Sequence, residues 1–81
     1  MKHTIAYTLV NGGTRYECYG LKKTRHGRTC LFKTPAGNWI VANGVNWDSG
    51  IINGEVWGDW DYGHYFMDDE AEARRYFQEV A

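Results

Sequence analysis

Few side chains in this sequence are typical of enzyme chemistry, and they lie far apart. The 81 residues include two cysteines and three histidines, which are Cys18, Cys30, His3, His26 and His64. None stands in a spacing typical of an activated nucleophile or of a zinc site, so a cysteine–His64 pair would have to be formed by the fold. A chain of this length also has little room for a water-excluding pocket. We therefore expect a protein that is not an enzyme and that has no cofactor or metal.

The strongest candidate for contact with another macromolecule is segment 57–62, in which aromatic and acidic residues alternate. Tryptophan and tyrosine are favoured at interfaces because they bury a large area with few rotatable bonds. Carboxylates between them suit a partner with a basic surface. The predicted partner-binding residues are Trp57, Asp59, Trp60, Asp61 and Tyr62.

Other interpretations of this segment stay open. Aromatic faces beside carboxylates also suit a sugar, so a carbohydrate-binding module is an alternative function. Calcium is not favoured, because Asp59 and Asp61 with Asp48 lack the ligand order of a calcium loop. A small core needs its largest side chains, so we expect Trp39 and Trp57 to be core and Trp60 to be exposed.

A second candidate surface is the basic segment 22–28. Cationic side chains at a hairpin tip could neutralise phosphates, and Tyr16, Tyr19 and Phe32 are near enough in sequence to stack on bases. The same residues could form an ordinary solvated turn that protects a sheet edge. The formal net charge of -1 is unlike that of a dedicated nucleic-acid domain. The residues of this secondary contact are Lys22, Lys23, Arg25, His26 and Arg28.

Charge is unevenly distributed along the chain. Residues 1–38 contain seven Lys or Arg and one acid, whereas residues 39–81 contain two Arg and nine acids. This asymmetry favours a charged partner. Alternatively, the two halves lie against each other and neutralise one another.

Alternating residues and turn dipeptides predict strands over 3–10, 14–23 and 28–34. A short continuous apolar run predicts a fourth strand over 39–42, covered on both faces. Gly20 inside the second strand indicates a bulge or a close backbone approach. A small ribbon is expected around Asn53-Gly54, and a loop over 58–63. Residues 63–67 form either a short final strand or the lead into a helix.

The carboxyl-terminal helix is the best-marked element. Asp69 with Glu72 has the capping-box spacing, and an apolar stripe follows at Ala73, Tyr76, Phe77 and Val80. Such a short helix needs a surface to dock on. The predicted fold class is α+β: an antiparallel β-meander of four to six strands with one C-terminal α-helix packed on the sheet, in a single domain spanning residues 1–81.

Two cysteines favour reduced thiols in a cytoplasmic protein, although one bridge between neighbouring strands remains possible. No apolar run is long enough to cross a membrane, and no secretory leader is visible. We expect no membrane partner. Monomer and homodimer both remain open, with the first strand as a possible pairing edge.

In size and style the chain resembles small phage or mobile-element inhibitors, of which anti-CRISPR proteins are an example. The features shared are a small capped α+β chain and the tryptophan-and-carboxylate segment 57–62; no family motif matches residue by residue. This resemblance implies a non-catalytic inhibitor in the host cytoplasm that binds the basic surface of a nucleic-acid-handling protein complex. Direct binding of nucleic acid through residues 22–28 is the alternative.

Overall fold

The computed structural model describes residues 7–47 and 54–81. The expectations for His3, Asp48, the start of the first strand and the ribbon before Asn53 fall outside these residues. The described elements are β1 (Tyr7–Asn11), β2 (Thr14–Thr24), β3 (Gly27–Lys33), β4 (Trp39–Asn43), β5 (Asn46–Trp47), β6 (Glu55–Asp59), β7 (Tyr62–Tyr65) and α1 (Glu70–Glu79).

These strands form one sheet in the order β5-β6-β1-β2-β3-β4-β7. The α+β prediction is plausible on this architecture, but two details of the predicted meander are wrong. In the described residues the sheet has seven strands rather than four to six. It is mixed because β6 pairs with β1 in parallel, with Leu9 opposite Val56. The hairpin dipeptides predict pairing only between strands that are consecutive in sequence. β1 and β6 are separated in sequence by β2 to β5, so no such dipeptide predicts their pairing.

Two further expectations are corrected by the strand positions. Segment 58–63 is not one loop, because β6 continues to Asp59 and β7 begins at Tyr62. The first strand is no free edge, since β1 lies between β2 and β6. The ends of the described sheet are β5 and β7.

Two short connections force the sheet to curl. Gly44 and Val45 join β4 to β5, and Trp60 and Asp61 join β6 to β7, although each pair lies near opposite ends of the strand order. Two intervening residues span at most about 11 Å. The two ends of the sheet must therefore approach each other, which makes the sheet a partly closed barrel.

The barrel interior is the larger of two apolar clusters. Its buried side chains are Tyr7, Leu9, Cys18, Cys30, Phe32, Ile40, Ala42, Val45 and Val56. Tyr16, Trp47 and Trp60 are partly buried against it. Inward and outward positions alternate along β3 and β4, as the two-residue period of a strand requires.

The second cluster lies on the outside, where α1 packs against β3 and β4. Leu31, Trp39 and Val41 pack there against Ala73 and the partly buried Phe77. The capping prediction is confirmed for Asp69, whose carboxylate accepts a hydrogen bond of 3.0 Å from the Glu72 amide. The reciprocal bond of a capping box is not formed, because the Asp69 amide donates to the Phe66 carbonyl oxygen and the Glu72 carboxylate pairs with Arg75.

The predicted irregularity at Gly20 is also confirmed. The β2–β3 register shifts between Cys18 and Gly20. A Cβ at Gly20 would lie 3.0 Å from the Phe77 ring, so this glycine lets the helix approach the sheet. Among the described residues, no helix has both the length and the apolar character needed to span a membrane.

Candidate functional site

One end of the barrel opens into a pocket of about 650 Å³, which we call the mouth pocket. It lies between the β2–β3 hairpin tip and the β4–β5 corner. The exposed Leu21 supplies apolar surface, while Lys23, Arg28 and Asp61 supply charge. The mouth pocket thus gathers residues of both predicted contact segments.

The basic segment forms the hairpin tip, but its cations are not equivalent. Lys22 is half-buried, and its Nζ lies 3.3 Å from the Gln78 carbonyl oxygen and 5.0 Å from the Phe77 ring centroid. It therefore belongs to the packing of α1. Lys23 and Arg25 are exposed.

Arg28 is held over an aromatic ring. Its guanidinium carbon lies 4.1 Å from the ring centroid of Trp47, a cation–π contact. At the tip itself, Gly27 takes the left-handed φ of 92° and the His26 amide donates to Thr24 Oγ1 at 3.0 Å. These contacts hold the tip in a defined shape.

The aromatics expected to stack on bases are elsewhere. Phe32 is fully buried in the barrel, Tyr16 is half-buried against it, and Tyr19 packs 5.3 Å from the Trp39 ring. The rings near the tip are instead His26 and Tyr62. The prediction that these rings stack on bases used proximity in sequence alone. Alternate residues of a strand face opposite sides of the sheet, so nearness in sequence does not place them on one surface.

The two tryptophans of segment 57–62 have the opposite burial to that predicted. Trp39 is buried as predicted, but Trp57 is 62% exposed and not part of the core. Its neighbour Val56 faces the barrel interior, which turns Trp57 outward. Trp60, expected in solvent, is half-buried, with its ring 5.0 Å from Tyr16.

Trp60 closes the barrel between β6 and β7. Its ring centroid also lies 5.3 Å from that of Phe32, and a Cβ at Gly63 would lie 3.4 Å from its indole nitrogen. Because Trp60 is anchored inside, Asp59 and Asp61 on either side are left exposed at the surface. Tyr62 follows and is 48% exposed.

The two predicted contact segments meet at the mouth pocket. The hydroxyl of Tyr62 lies 2.8 Å from Nδ1 of His26, with the two rings edge to face at 5.8 Å. Asp61 donates its backbone amide to the Asn43 carbonyl oxygen at 3.0 Å. Its carboxylate lies against Gly44, where any Cβ would collide with it. No local sequence signal could place Tyr62 beside His26, because the contact depends on closure of the barrel.

The charged side chains of the mouth pocket form no ion pairs among the described residues. Within residues 7–47 and 54–81 the ion pairs are Arg15–Glu55, Arg74–Glu70 and Arg75–Glu72. Of these ion pairs between described residues, only Arg15–Glu55 joins the basic and acidic halves of the sequence. For the described part of the chain, mutual neutralisation of the halves is therefore limited.

The cysteines lie inside the barrel as free, fully buried thiols. Cys30 Sγ is 3.1 Å from the Tyr7 hydroxyl, and Cys18 Sγ is 3.2 Å from the Gly20 carbonyl oxygen. A hydrogen bond with Cys30 lowers the pKa of Cys18, whereas that same bond and burial raise the pKa of Cys30. His64 instead packs 4.5 Å from the Tyr76 ring, so neither thiol is paired with it. Across the described ranges, no three His, Cys, Asp or Glu side chains group to hold a metal.

Comparison of the chain with protein-family models, with curated proteins and with solved structures found no match.

Proposed function

We propose that this protein is a small, non-catalytic inhibitor of the anti-CRISPR-like type that binds the basic surface of a nucleic-acid-handling protein complex. The observation that carries the proposal is the exposure of Trp57. A tryptophan that is 62% exposed beside carboxylates without ion-pair partners in the described structure is typical of an interface anchor. We call Trp57, Asp59, Asp61 and Tyr62 the acidic-aromatic surface.

The dimensions of the acidic-aromatic surface fit one interface. Trp57 and Tyr62 are five residues apart, so their Cα atoms are separated by at most about 18 Å. A standard interface covers about 800 Å² per partner, a patch about 30 Å across. A single partner surface could therefore contact the whole group.

Rigidity of this surface supports the proposal as well. Trp60 is anchored in the barrel between the two carboxylates, and Asp61 is fixed against Gly44. Groups held in position before binding lose less conformational entropy when they bind. No loop therefore has to become ordered when Trp57, Asp59 and Asp61 bind a partner.

The cytoplasm of a host cell is the compartment that we propose for this activity. Cys18 and Cys30 are neighbours inside the barrel and both are free. Free thiols in contact are typical of proteins from reducing compartments.

Affinity capture from a nuclease-treated lysate of the source cells tests the proposal. The tagged chain should retain a nucleic-acid-handling protein after nuclease treatment, because the contact is with protein. Asp59→Lys, Asp61→Lys and Trp57→Ala should each abolish this retention while the melting temperature barely changes. Glu79→Lys makes the same charge reversal at the exposed end of α1 and should leave capture intact.

Retention of the same partner by both reversed variants would show that the acidic-aromatic surface is not the contact. Capture that disappears on nuclease treatment would overturn a direct protein contact. A partner with no role in handling nucleic acid would contradict the assigned target.

A further inference from the structure

We infer that the mouth pocket is a binding site for single-stranded nucleic acid that adjoins the acidic-aromatic surface and shares Asp61 and Tyr62 with it. The strand would place its phosphates against Lys23 and Arg28, and a base on the Tyr62 side. This site adds a second ligand class to the molecule. Lys23 and Arg28 lie outside the acidic-aromatic surface, so variants of these two residues test the site separately from the protein partner.

The first support is uncompensated positive charge around a concavity. Among the described residues, no carboxylate forms an ion pair with Lys23, Arg25 or Arg28. Lys23 and Arg28 line the pocket, and Arg25 stands exposed at the adjoining tip. Clustered cations at an open cleft attract a polyanion from a distance, and backbone phosphates are the anions that they match.

The second support is the way in which Arg28 is held. A cation on an ordinary solvated turn has no defined position, but this guanidinium is stacked 4.1 Å from the Trp47 ring centroid. Stacking through one face leaves the N–H groups at the edge of the guanidinium plane able to donate. That edge is the part of arginine that binds phosphate oxygens in pairs.

The third support is aromatic surface next to the cations. Tyr62 is 48% exposed, and its hydroxyl is fixed 2.8 Å from Nδ1 of His26. A ring held in this way can stack on an unpaired base, whereas the bases of a duplex are already stacked on each other. A cationic groove with an adjoining ring therefore favours a single strand over a duplex.

Asp61 makes one side of the mouth pocket negative and so distinguishes it from the cationic side. Its carboxylate lines the same pocket and would repel a phosphate, but it can accept hydrogen bonds from the N–H groups of a base edge. Phosphates are thus excluded from the Asp61 side and drawn to the Lys23 and Arg28 side. This polarity distinguishes the mouth pocket from a uniformly basic patch.

Fluorescence anisotropy with the purified full chain tests the site. The probes are a labelled mixed-sequence oligonucleotide as single-stranded DNA, the same sequence as RNA, and the DNA duplex. If about three phosphates are neutralised, affinity for the single strand should fall about 20-fold between about 50 and about 200 mM salt. The duplex should bind more weakly than either single strand.

The decisive variant is Lys23→Gln with Arg28→Gln. It should weaken single-strand binding and reduce the slope of log affinity against log salt by about 1.4, the contribution of two phosphates. The matched control, Lys33→Gln with Arg75→Gln, removes the same charge at the far end of β3 and on α1. Circular dichroism confirms that both double variants are folded.

Tyr62→Ala should weaken binding without changing the salt slope, because a stacking contact releases no counterions. Equal loss in the decisive and control variants would reduce the effect to net charge and overturn the site. Absence of single-strand binding at the lower salt concentration, or a preference for the duplex, would also overturn it. The Lys23→Gln with Arg28→Gln variant leaves the acidic-aromatic surface unchanged and should still capture the protein partner, so failure of this site is distinguishable from failure of the proposed function.

Discussion

At the scale of single residues, the barrel interior holds three titratable groups in mutual contact. Burial raises the pKa of Tyr7 far above its ordinary value of 10.0, and contact with Cys30 adds to that effect. The Tyr7 hydroxyl lies 3.1 Å from Cys30 Sγ, and the side chain is 3% exposed. The folded state therefore retains a proton that the unfolded chain loses above about pH 10.

This difference in proton binding makes Tyr7 a source of alkaline instability. Above about pH 10 the unfolded state binds fewer protons, so Tyr7 lowers the free energy of unfolding by about 1.4 kcal/mol per pH unit. At about pH 8, Tyr7→Phe should cost about 1 kcal/mol through its lost hydrogen bond. As the pH rises past about 10, wild type should lose this advantage and become the less stable protein. Urea unfolding followed by circular dichroism, from about pH 8 to about pH 11, measures both effects.

The control for this experiment is Tyr65→Phe, which removes the hydroxyl of a tyrosine that is 65% exposed. This variant leaves the contact between Tyr7 and Cys30 in place, so the alkaline loss of stability that Tyr7 causes should remain. A constant stability difference between wild type and Tyr7→Phe across the range would contradict retention of the proton on Tyr7.

At the scale of secondary-structure elements, α1 is fixed at both ends by different means. Asp69 caps its amino terminus from within the local sequence. At the other end the last turn of α1 contains no basic residue, and Lys22 of β2 contacts the Gln78 carbonyl oxygen instead. A cation there interacts favourably with the negative end of the helix dipole. One basic side chain of the hairpin is therefore used to dock the helix.

Removal of the amino-terminal cap tests how much this end contributes. Asp69→Ala should lower the free energy of unfolding by about 1 kcal/mol, because the Glu72 amide loses its acceptor. Asp68→Ala removes a neighbouring exposed carboxylate that accepts no such bond, so it should cost clearly less. Thermal unfolding of both variants gives the comparison. Equal losses would show that general charge near the helix terminus, rather than the cap, stabilises α1.

Local patterns predicted the elements well and their long-range partners poorly. The cap at Asp69 and the bulge at Gly20 depend on residues only a few positions apart, and both predictions are confirmed. The parallel pairing of Leu9 with Val56 depends on burial that only the assembled sheet defines. Segment 58–63 shows the same limit, since its glycines and aspartates indicate a loop although strands occupy both ends.

At the scale of the whole molecule, closure of the barrel decides which candidate residues can act together. It brings Tyr62 to His26 and places Asp61 beside the basic tip, although these segments are far apart in sequence. The sequence alone predicts two separate contact segments of opposite charge. The folded molecule instead has one end where an acidic flank adjoins a cationic pocket. Such an arrangement suits a target made of both protein and nucleic acid.

Closure also explains why Trp57 and Trp60 could not be assigned from sequence. Trp57 stands between Val56 and Gly58 and Trp60 between two aspartates, so the sequence neighbours favour the opposite assignment. The environments differ because Trp60 turns inward where β6 passes into β7. Trp60 contacts Phe32 and Tyr16 inside the barrel, whereas Trp57 lies on the outer face. The two tryptophans therefore provide a matched pair for testing the closed arrangement.

Truncation of these two side chains should have very different costs. Trp60→Ala removes a large ring from the barrel interior and should lower the free energy of unfolding by about 2–4 kcal/mol. Trp57→Ala removes a ring that is 62% exposed and should cost less than about 1 kcal/mol. Urea unfolding followed by far-ultraviolet circular dichroism measures both, since the other tryptophans complicate a fluorescence signal. If Trp57→Ala were the more damaging change, Trp57 would be the core residue, and both the closed barrel and the acidic-aromatic surface would have to be abandoned.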